Sequence, residues 1–187
     1  MKKNVRKQGI LLPISSIPST YGIGTFGKES YRFVDFLEKS GNHLWQILPL
    51  GPTGYGDSPY QSFSTFAGNP YFIDLDMLVE DGLLRADEVR AVDWGADETQ
   101  VDYGILYEHR FALLAKAAEK GLKRDAAAVA AFASEKRGWL EDYALLMALK
   151  RHFAMKPWME WPEEVRLRKA EALERYRTVL SEDVALF

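Results

Sequence analysis

The residues best suited to chemistry lie in one stretch, Gly51-Pro52-Thr53-Gly54-Tyr55-Gly56-Asp57-Ser58-Pro59-Tyr60-Gln61-Ser62-Phe63-Ser64-Thr65-Phe66-Ala67-Gly68-Asn69-Pro70-Tyr71. It offers hydroxyls, amides, one acid (Asp57) and five aromatic rings. No Lys or Arg occurs between Lys39 and Arg85, so a phosphate or a nucleic acid would lack its usual counter-charge there. Neutral donors and acceptors beside flat rings suit an uncharged polyhydroxylated ligand, which presents hydroxyl edges and C–H faces. The competing reading is a long ordered loop whose Tyr and Phe fill core gaps while Ser and Asn cap turns. Composition leaves both open.

A second candidate is Gly22-Ile23-Gly24-Thr25-Phe26-Gly27-Lys28, which matches G-x-G-x-x-G and nearly matches a phosphate-binding loop. Glu29 stands where a magnesium-binding hydroxyl is needed, and the first glycine lies seven residues beyond Ser15. No acid closes the second strand, so the stretch reads as a Gly-rich surface loop entering a helix. His43, His109 and His152 have no ligand spacing, and no metal or other cofactor is expected. Asp74 and Asp76 alternate with apolar residues as on a half-exposed strand, with nothing to show that they face one cavity. Pro157-Trp158-Met159-Glu160-Trp161-Pro162 could stack on a sugar but reads first as the aromatic anchor of a helix junction.

The elements that must position these residues differ between two parts, 1–78 and 79–187. The first holds 9 of the 14 glycines and 6 of the 8 prolines with little charge; the second is charge-dense and alanine-rich. Ile10–Ile14 and Leu44–Leu48 read as short buried strands. Between them, Tyr31, Val34 and Leu37 recur as one helical face from Lys28 to Lys39, with Gly41 as the stop. Two strands joined by one helix make a βαβ unit, so the fold class is α/β with parallel strands. The Gly51–Tyr71 stretch then follows a strand's carboxyl end, where such folds place ligands.

Further on, Tyr107, Phe111, Leu114 and Ala118 keep helical steps, as do Leu140, Tyr143, Ala144 and Met147. Trp161-Pro162-Glu163-Glu164 reads as a helix start. The stretch from Arg166 to Arg177, with Glu171 and Arg175 at i,i+4, reads as a solvated helix face.

With 187 residues, 24 Lys and Arg against 27 Asp and Glu give a net charge of −3. Nothing global draws the chain to nucleic acid or to an anionic membrane. Zero cysteines exclude disulfides and thiol catalysis. The basic start Met1–Lys7 precedes an apolar run too short for a signal core, and no run approaches the ~20 residues of a membrane span, so a cytoplasmic location is expected.

Several stretches, in order, carry a family resemblance: Gly9-Ile10-Leu11-Leu12, Ser15-Ser16-Ile17-Pro18-Ser19, Tyr21-Gly22-Ile23-Gly24, Tyr31–Leu37 and Trp45-Gln46-Ile47-Leu48-Pro49-Leu50. They run into Gly54-Tyr55-Gly56-Asp57-Ser58-Pro59-Tyr60-Gln61-Ser62 and continue through Val101-Asp102-Tyr103, Trp139–Leu145, Lys156-Pro157-Trp158 and Glu160-Trp161-Pro162. Together they resemble the N-terminal part of the amylomaltase-type 4-α-glucanotransferases, glycoside hydrolase family 77. Pro13-Ile14, where a His-Pro or similar pair is usual, and Thr65, where a small residue is common, depart from the pattern.

The resemblance implies the first strands of a (β/α)8 TIM barrel in 1–78, with a mostly helical insertion in 79–187. It implies transfer of an α-1,4-glucan segment to the 4-hydroxyl of another maltooligosaccharide, with retention through a glycosyl–Asp intermediate and a Glu acid/base. By residue matching, Ser58 and Tyr60 line donor subsites near the scissile bond, and Tyr55 and Tyr103 belong to a second glucan groove. Asp57 and Asn69 complete the candidate substrate-binding set. The catalytic carboxylates are expected beyond Phe187, so the chain is expected to be an inactive N-terminal fragment, in keeping with its uncapped apolar end. A non-catalytic carbohydrate-binding module is the alternative.

Overall fold

The helix-compatible run Lys28–Lys39 forms a helix, α1, over those residues. Glu29 lies in its first turn and Lys39 in its last, each opposite in sign to the nearby helix-end partial charge. Gly41, in the left-handed region at φ 72°, lets the chain reverse after it. On either side run the strands β1 (Gly9–Leu11) and β2 (Leu44–Gln46), parallel and in register Gly9↔Leu44, Ile10↔Trp45, Leu11↔Gln46. The βαβ unit is present, and the Trp45 indole N–H donates to Leu12 O at 2.8 Å to tie its ends together. The computed structural model describes residues 6–97 and 99–187, so most of the basic Met1–Lys7 start lies outside the described residues.

Three expectations for this unit are corrected. Each strand is three residues long, and Ile14 instead opens a short 3-10 turn, Ile14–Ser16. The strands are not buried: Leu11 and Leu44 are more than half exposed. The pair is the whole sheet among the described residues, so each strand keeps one edge and much of its faces uncovered. On α1, Leu37 is buried but Tyr31 and Val34 are exposed, because the helix rests on the strands through Phe33, whose ring meets Trp45 edge-on at 4.9 Å.

Asp74 and Asp76 do not lie on a strand. The Asp74 carboxylate accepts the Met77 N–H at 2.9 Å and so caps α2 (Leu75–Glu80), with Asp76 in its first turn. A capping acid with a fully buried Leu75 just after it overrides the alternating pattern. Short helix α3 (Ala86–Arg90) follows, then α4 (Tyr103–Ile105), a wider π-type turn Leu106–Arg110, and α5 (Phe111–Arg124).

Two compact units result, one ending at Ala117 and the other running Ala118–Phe187. The first packs Leu75, Leu84, Val89, Trp94 and Leu106 around Tyr71. Its inward helical stripe is Leu106, Arg110, Leu113 and Ala117. That is one residue out of phase with the expected Tyr107, Phe111, Leu114, Ala118, because an arginine occupies a core position. The second unit contains α6 (Ala126–Glu135), α7 (Arg137–His152), α8 (Glu163–Arg166), α9 (Ala170–Val179) and α10 (Ser181–Leu186). Its core gathers Leu145, Ala148, Leu149, Trp161, Val165 and Leu173. Arg175 pairs with Glu164 of α8 and not with Glu171, so that face ties two helices together. No helix among the described residues is long and apolar enough to cross a membrane.

Candidate functional site

The stretch after β2 leaves and returns at one point, where the Asn69 N–H donates to Leu50 O at 2.8 Å. Inside it the small polar side chains hold turns. Ser58 Oγ accepts the Tyr60 N–H at 3.3 Å and caps the 3-10 turn Pro59–Gln61. Asn69 Oδ1 accepts the Tyr71 N–H at 3.0 Å and caps a second, Pro70–Phe72. Ser62 Oγ donates to Ser64 O at 2.8 Å, and Ser64 Oγ accepts the Ala67 N–H at 3.0 Å. Asn69 itself is buried.

The rings divide in the other direction. Tyr55 is fully exposed, Tyr60 is 73% exposed and Phe66 70%. Tyr71 turns inward at 6%. The geometry meets each reading in part: hydroxyl and amide groups cap the turns and Tyr71 fills a core position, while Tyr55, Tyr60 and Phe66 face solvent. A loop so braced presents aromatic faces at low entropic cost to a ligand, since its backbone is already ordered.

Asp57 sits at the tip with φ 53°, after Gly56 at φ 86°, in a turn closed by its N–H donating to Gly54 O at 3.1 Å. Burial pushes its carboxyl above the ordinary aspartate value. Its negative charge is felt by two tyrosines whose rings lie 5.8 Å apart, Tyr71 and Tyr103. Burial first, then Asp57, pushes Tyr71 up to about 12, and the same two causes raise Tyr103. The structure thus brings Asp57, Tyr71 and Tyr103 together, while Tyr55 and Tyr60 stand out into solvent.

Beneath the loop lies Arg110, which the apolar stripe in the sequence did not mark. It is fully buried; its Nη2 donates to Ile73 O at 2.6 Å and its Nη1 to Tyr21 O at 3.4 Å. Its guanidinium carbon lies 6.0 Å from the centre of the Trp94 ring, and its Nε is buried without a partner among the described residues. Burial lowers its pKa to about 10, partly offset by the charge of Asp74, so it remains a cation at neutral pH. The only textual sign of it is a lone Arg at the spacing of Leu106, Leu113 and Ala117. Tyr71 was missed as an organising residue because its exposure depends on what packs above it.

The Gly22–Lys28 loop is accounted for by packing. A β-carbon on Gly24 would collide with the carbonyls of Ile14 and Ile17, and one on Gly27 with the Asp74 carboxylate. Thr25 Oγ1 donates to that same carboxylate, and Lys28 pairs with Glu80. An acid therefore already occupies the mouth where a phosphate would sit. Asp76 accepts the Tyr21 hydroxyl, so Asp74 and Asp76 both serve structure. Among the described residues no group of three His, Asp or Glu side chains is placed to hold a metal ion.

Comparison with known proteins bears on this geometry. The family model described as 4-alpha-glucanotransferase, glycoside hydrolase family 77, matches residues 12–187. A 4-alpha-glucanotransferase of Streptococcus pneumoniae is 51% identical over 184 residues, covering 97% of this chain and 36% of that protein. One from Thermus thermophilus is 48% identical, covering 96% of this chain and 36% of the relative. The solved amylomaltase of Streptococcus agalactiae in complex with acarbose superposes with a TM-score of 0.93 at 43% identity, over 97% of this chain and 37% of that one. The chain thus spans about a third of the length of the relatives it matches. With 176 of its 187 residues inside the family match, 12 to 187 inclusive, the chain belongs to the 4-alpha-glucanotransferases of glycoside hydrolase family 77.

Proposed function

We propose that this chain forms the substrate-gripping first part of a cytoplasmic enzyme that transfers α-1,4-glucan segments between maltooligosaccharides with retention of configuration. The observation that carries the reading is the pair of exposed rings, Tyr55 and Tyr60, on a loop without Lys or Arg whose Ser and Asn side chains already brace its turns. The acarbose held by the Streptococcus agalactiae amylomaltase supports an oligosaccharide as the ligand class. On this reading β1 and β2 are the first strands of a (β/α)8 barrel, begun in 1–78 and followed by a helical insertion in 79–187.

Each residue then has a task. Tyr60 and Tyr55 stack on the C–H faces of glucose rings, Tyr60 beside the scissile bond and Tyr55 with Tyr103 in a second groove. Asp57 and Ser58 meet hydroxyl edges, and Asn69 holds the loop from beneath. In the retaining scheme an Asp displaces the leaving glucan chain while a Glu protonates its 4-oxygen. The Glu then takes the proton of the incoming 4-hydroxyl as that oxygen releases the Asp. This reading assigns neither acid to a residue of this chain.

Titrating the 187-residue chain with maltoheptaose tests the binding part. A rise in melting temperature that Tyr60→Ala reduces is expected; no rise at millimolar sugar, or the same rise in Tyr60→Ala, overturns it. With maltotriose as substrate the chain alone is expected to release no glucose, and measurable release would place the catalytic acids within it.

A further inference from the structure

Trp158 and Trp161 lie three residues apart and do different work. The Trp161 indole N–H donates to Lys156 O at 3.1 Å, its ring meets Phe153 at 5.3 Å, and it is only 6% exposed. It is the anchor of the helix junction. Trp158, in the 3-10 turn Trp158–Glu160, is 58% exposed and anchors nothing of the kind.

Instead Trp158 flanks a cleft of about 290 Å³ in the second unit. Its apolar lining includes Leu145 and Leu149 of α7 and Leu173 of α9, all buried. Asp142 and Arg168, 26 residues apart, also line it, with Arg168 Nη2 donating to both carboxylate oxygens at 2.9 Å. Arg168 holds this position from a left-handed backbone, φ 53°. A guanidinium carries five N–H donors, and among the described residues this pair engages only one of its nitrogens.

We propose that this cleft is a further α-glucan-binding site, built on residues other than the Gly51–Tyr71 loop and the Tyr55 and Tyr103 groove. A glucose unit has an apolar C–H face and a rim of adjacent hydroxyls. The open indole matches the face, and the Arg168–Asp142 fork supplies both donors and acceptors to the rim. Arg166 lines the cleft as well, so its charged rim is one carboxylate with two guanidiniums, groups that accept from and donate to sugar hydroxyls. The volume lies at the small end of small-molecule sites, roughly 300 Å³ upward, and is too small to seat a partner's helix. The inference takes its ligand class from the reading of the loop as a glucan site, but stands on different residues.

The test follows the five Trp indole N–H resonances and the Leu methyl resonances of the 187-residue chain during a maltoheptaose titration. A saturable shift of Trp158 and of the Leu145, Leu149 and Leu173 methyls is expected, and it should persist in Tyr60→Ala. Trp158→Ala should leave the melting temperature unchanged and weaken the methyl response about tenfold. Asp142→Asn should weaken it while the Trp158 indole stays visible. If Trp158 and the methyls stay still while Tyr60-dependent binding is intact, the cleft proposal falls and the loop reading stands. If they move in Tyr60→Ala as in the parent but no Tyr60-dependent binding exists, the loop reading falls and the cleft stands. Shifts that follow protein concentration without sugar would mark a protein contact and overturn the proposal.

Discussion

Arg110 and Ile73, 37 residues apart, are joined by a hydrogen bond of 2.6 Å from a fully buried guanidinium to a backbone carbonyl. Ile73 is two residues beyond the end of the aromatic loop, so the bond pins the loop's exit to the π-type turn before α5. The same guanidinium reaches Tyr21 O, so one cation ties together three segments distant in sequence.

Removing that cation leaves two inward-facing carbonyls without a donor. Arg110→Met, close in volume, is expected to lower unfolding free energy by about 2 kcal/mol, since the lost partners outweigh the relief of a desolvated charge. Urea denaturation checks it. An unchanged midpoint would mean that water replaces the guanidinium.

Alkaline pH should separate Tyr71 from the rest of the core. Its folded-state pKa is raised to about 12 from 10. Between those values the unfolded chain has lost the Tyr71 proton and the folded chain keeps it. The stability Tyr71 contributes is therefore complete below about pH 10 and lost as pH rises through about 12. Arg110, lowered from 12.5 to about 10, runs the opposite way across nearly the same window and is common to both proteins compared. Wild type is expected to lose about 2 kcal/mol relative to Tyr71→Phe between pH 10 and 12. Parallel stability curves would refute it.

Asp57→Asn should lower the pH at which Tyr71 ionises, because it removes a negative charge that resists the phenolate. Asn tolerates a backbone φ of 53° and Ala does not. Asp57→Asn is therefore expected to match wild type in stability at pH 7, with Asp57→Ala below both by about 1 kcal/mol. Ultraviolet titration and thermal melts read the two effects separately.

Asn69→Ala removes the cap of the Pro70–Phe72 turn. A loss of about 1 kcal/mol is expected, with faster hydrogen exchange at the Tyr71 N–H and weaker maltoheptaose binding. Faster exchange with binding intact would show that the loop grips sugar without this brace.

Local patterns in the sequence determined α1 over Lys28–Lys39, the parallel βαβ order, the helical character of the second part and the uncharged, ring-rich make-up of most of the Gly51–Tyr71 stretch. Each follows from neighbours a few residues apart: a 3.6-residue repeat, a turn glycine, a run without Lys or Arg. Periodicity was silent or misleading where long-range contacts decide. Asp74 became a helix cap against Thr25 and Gly27. The α5 stripe shifted by one residue to admit Arg110, and Tyr31 and Val34 stayed exposed because α1 meets the strands through Phe33. Which rings of the loop face solvent was decided in the same way, since Tyr55, Tyr60 and Tyr71 look alike in sequence and differ only in what packs on them. Burial is a property of the folded surroundings, and only tertiary structure brings residues 21, 73 and 110 to one point.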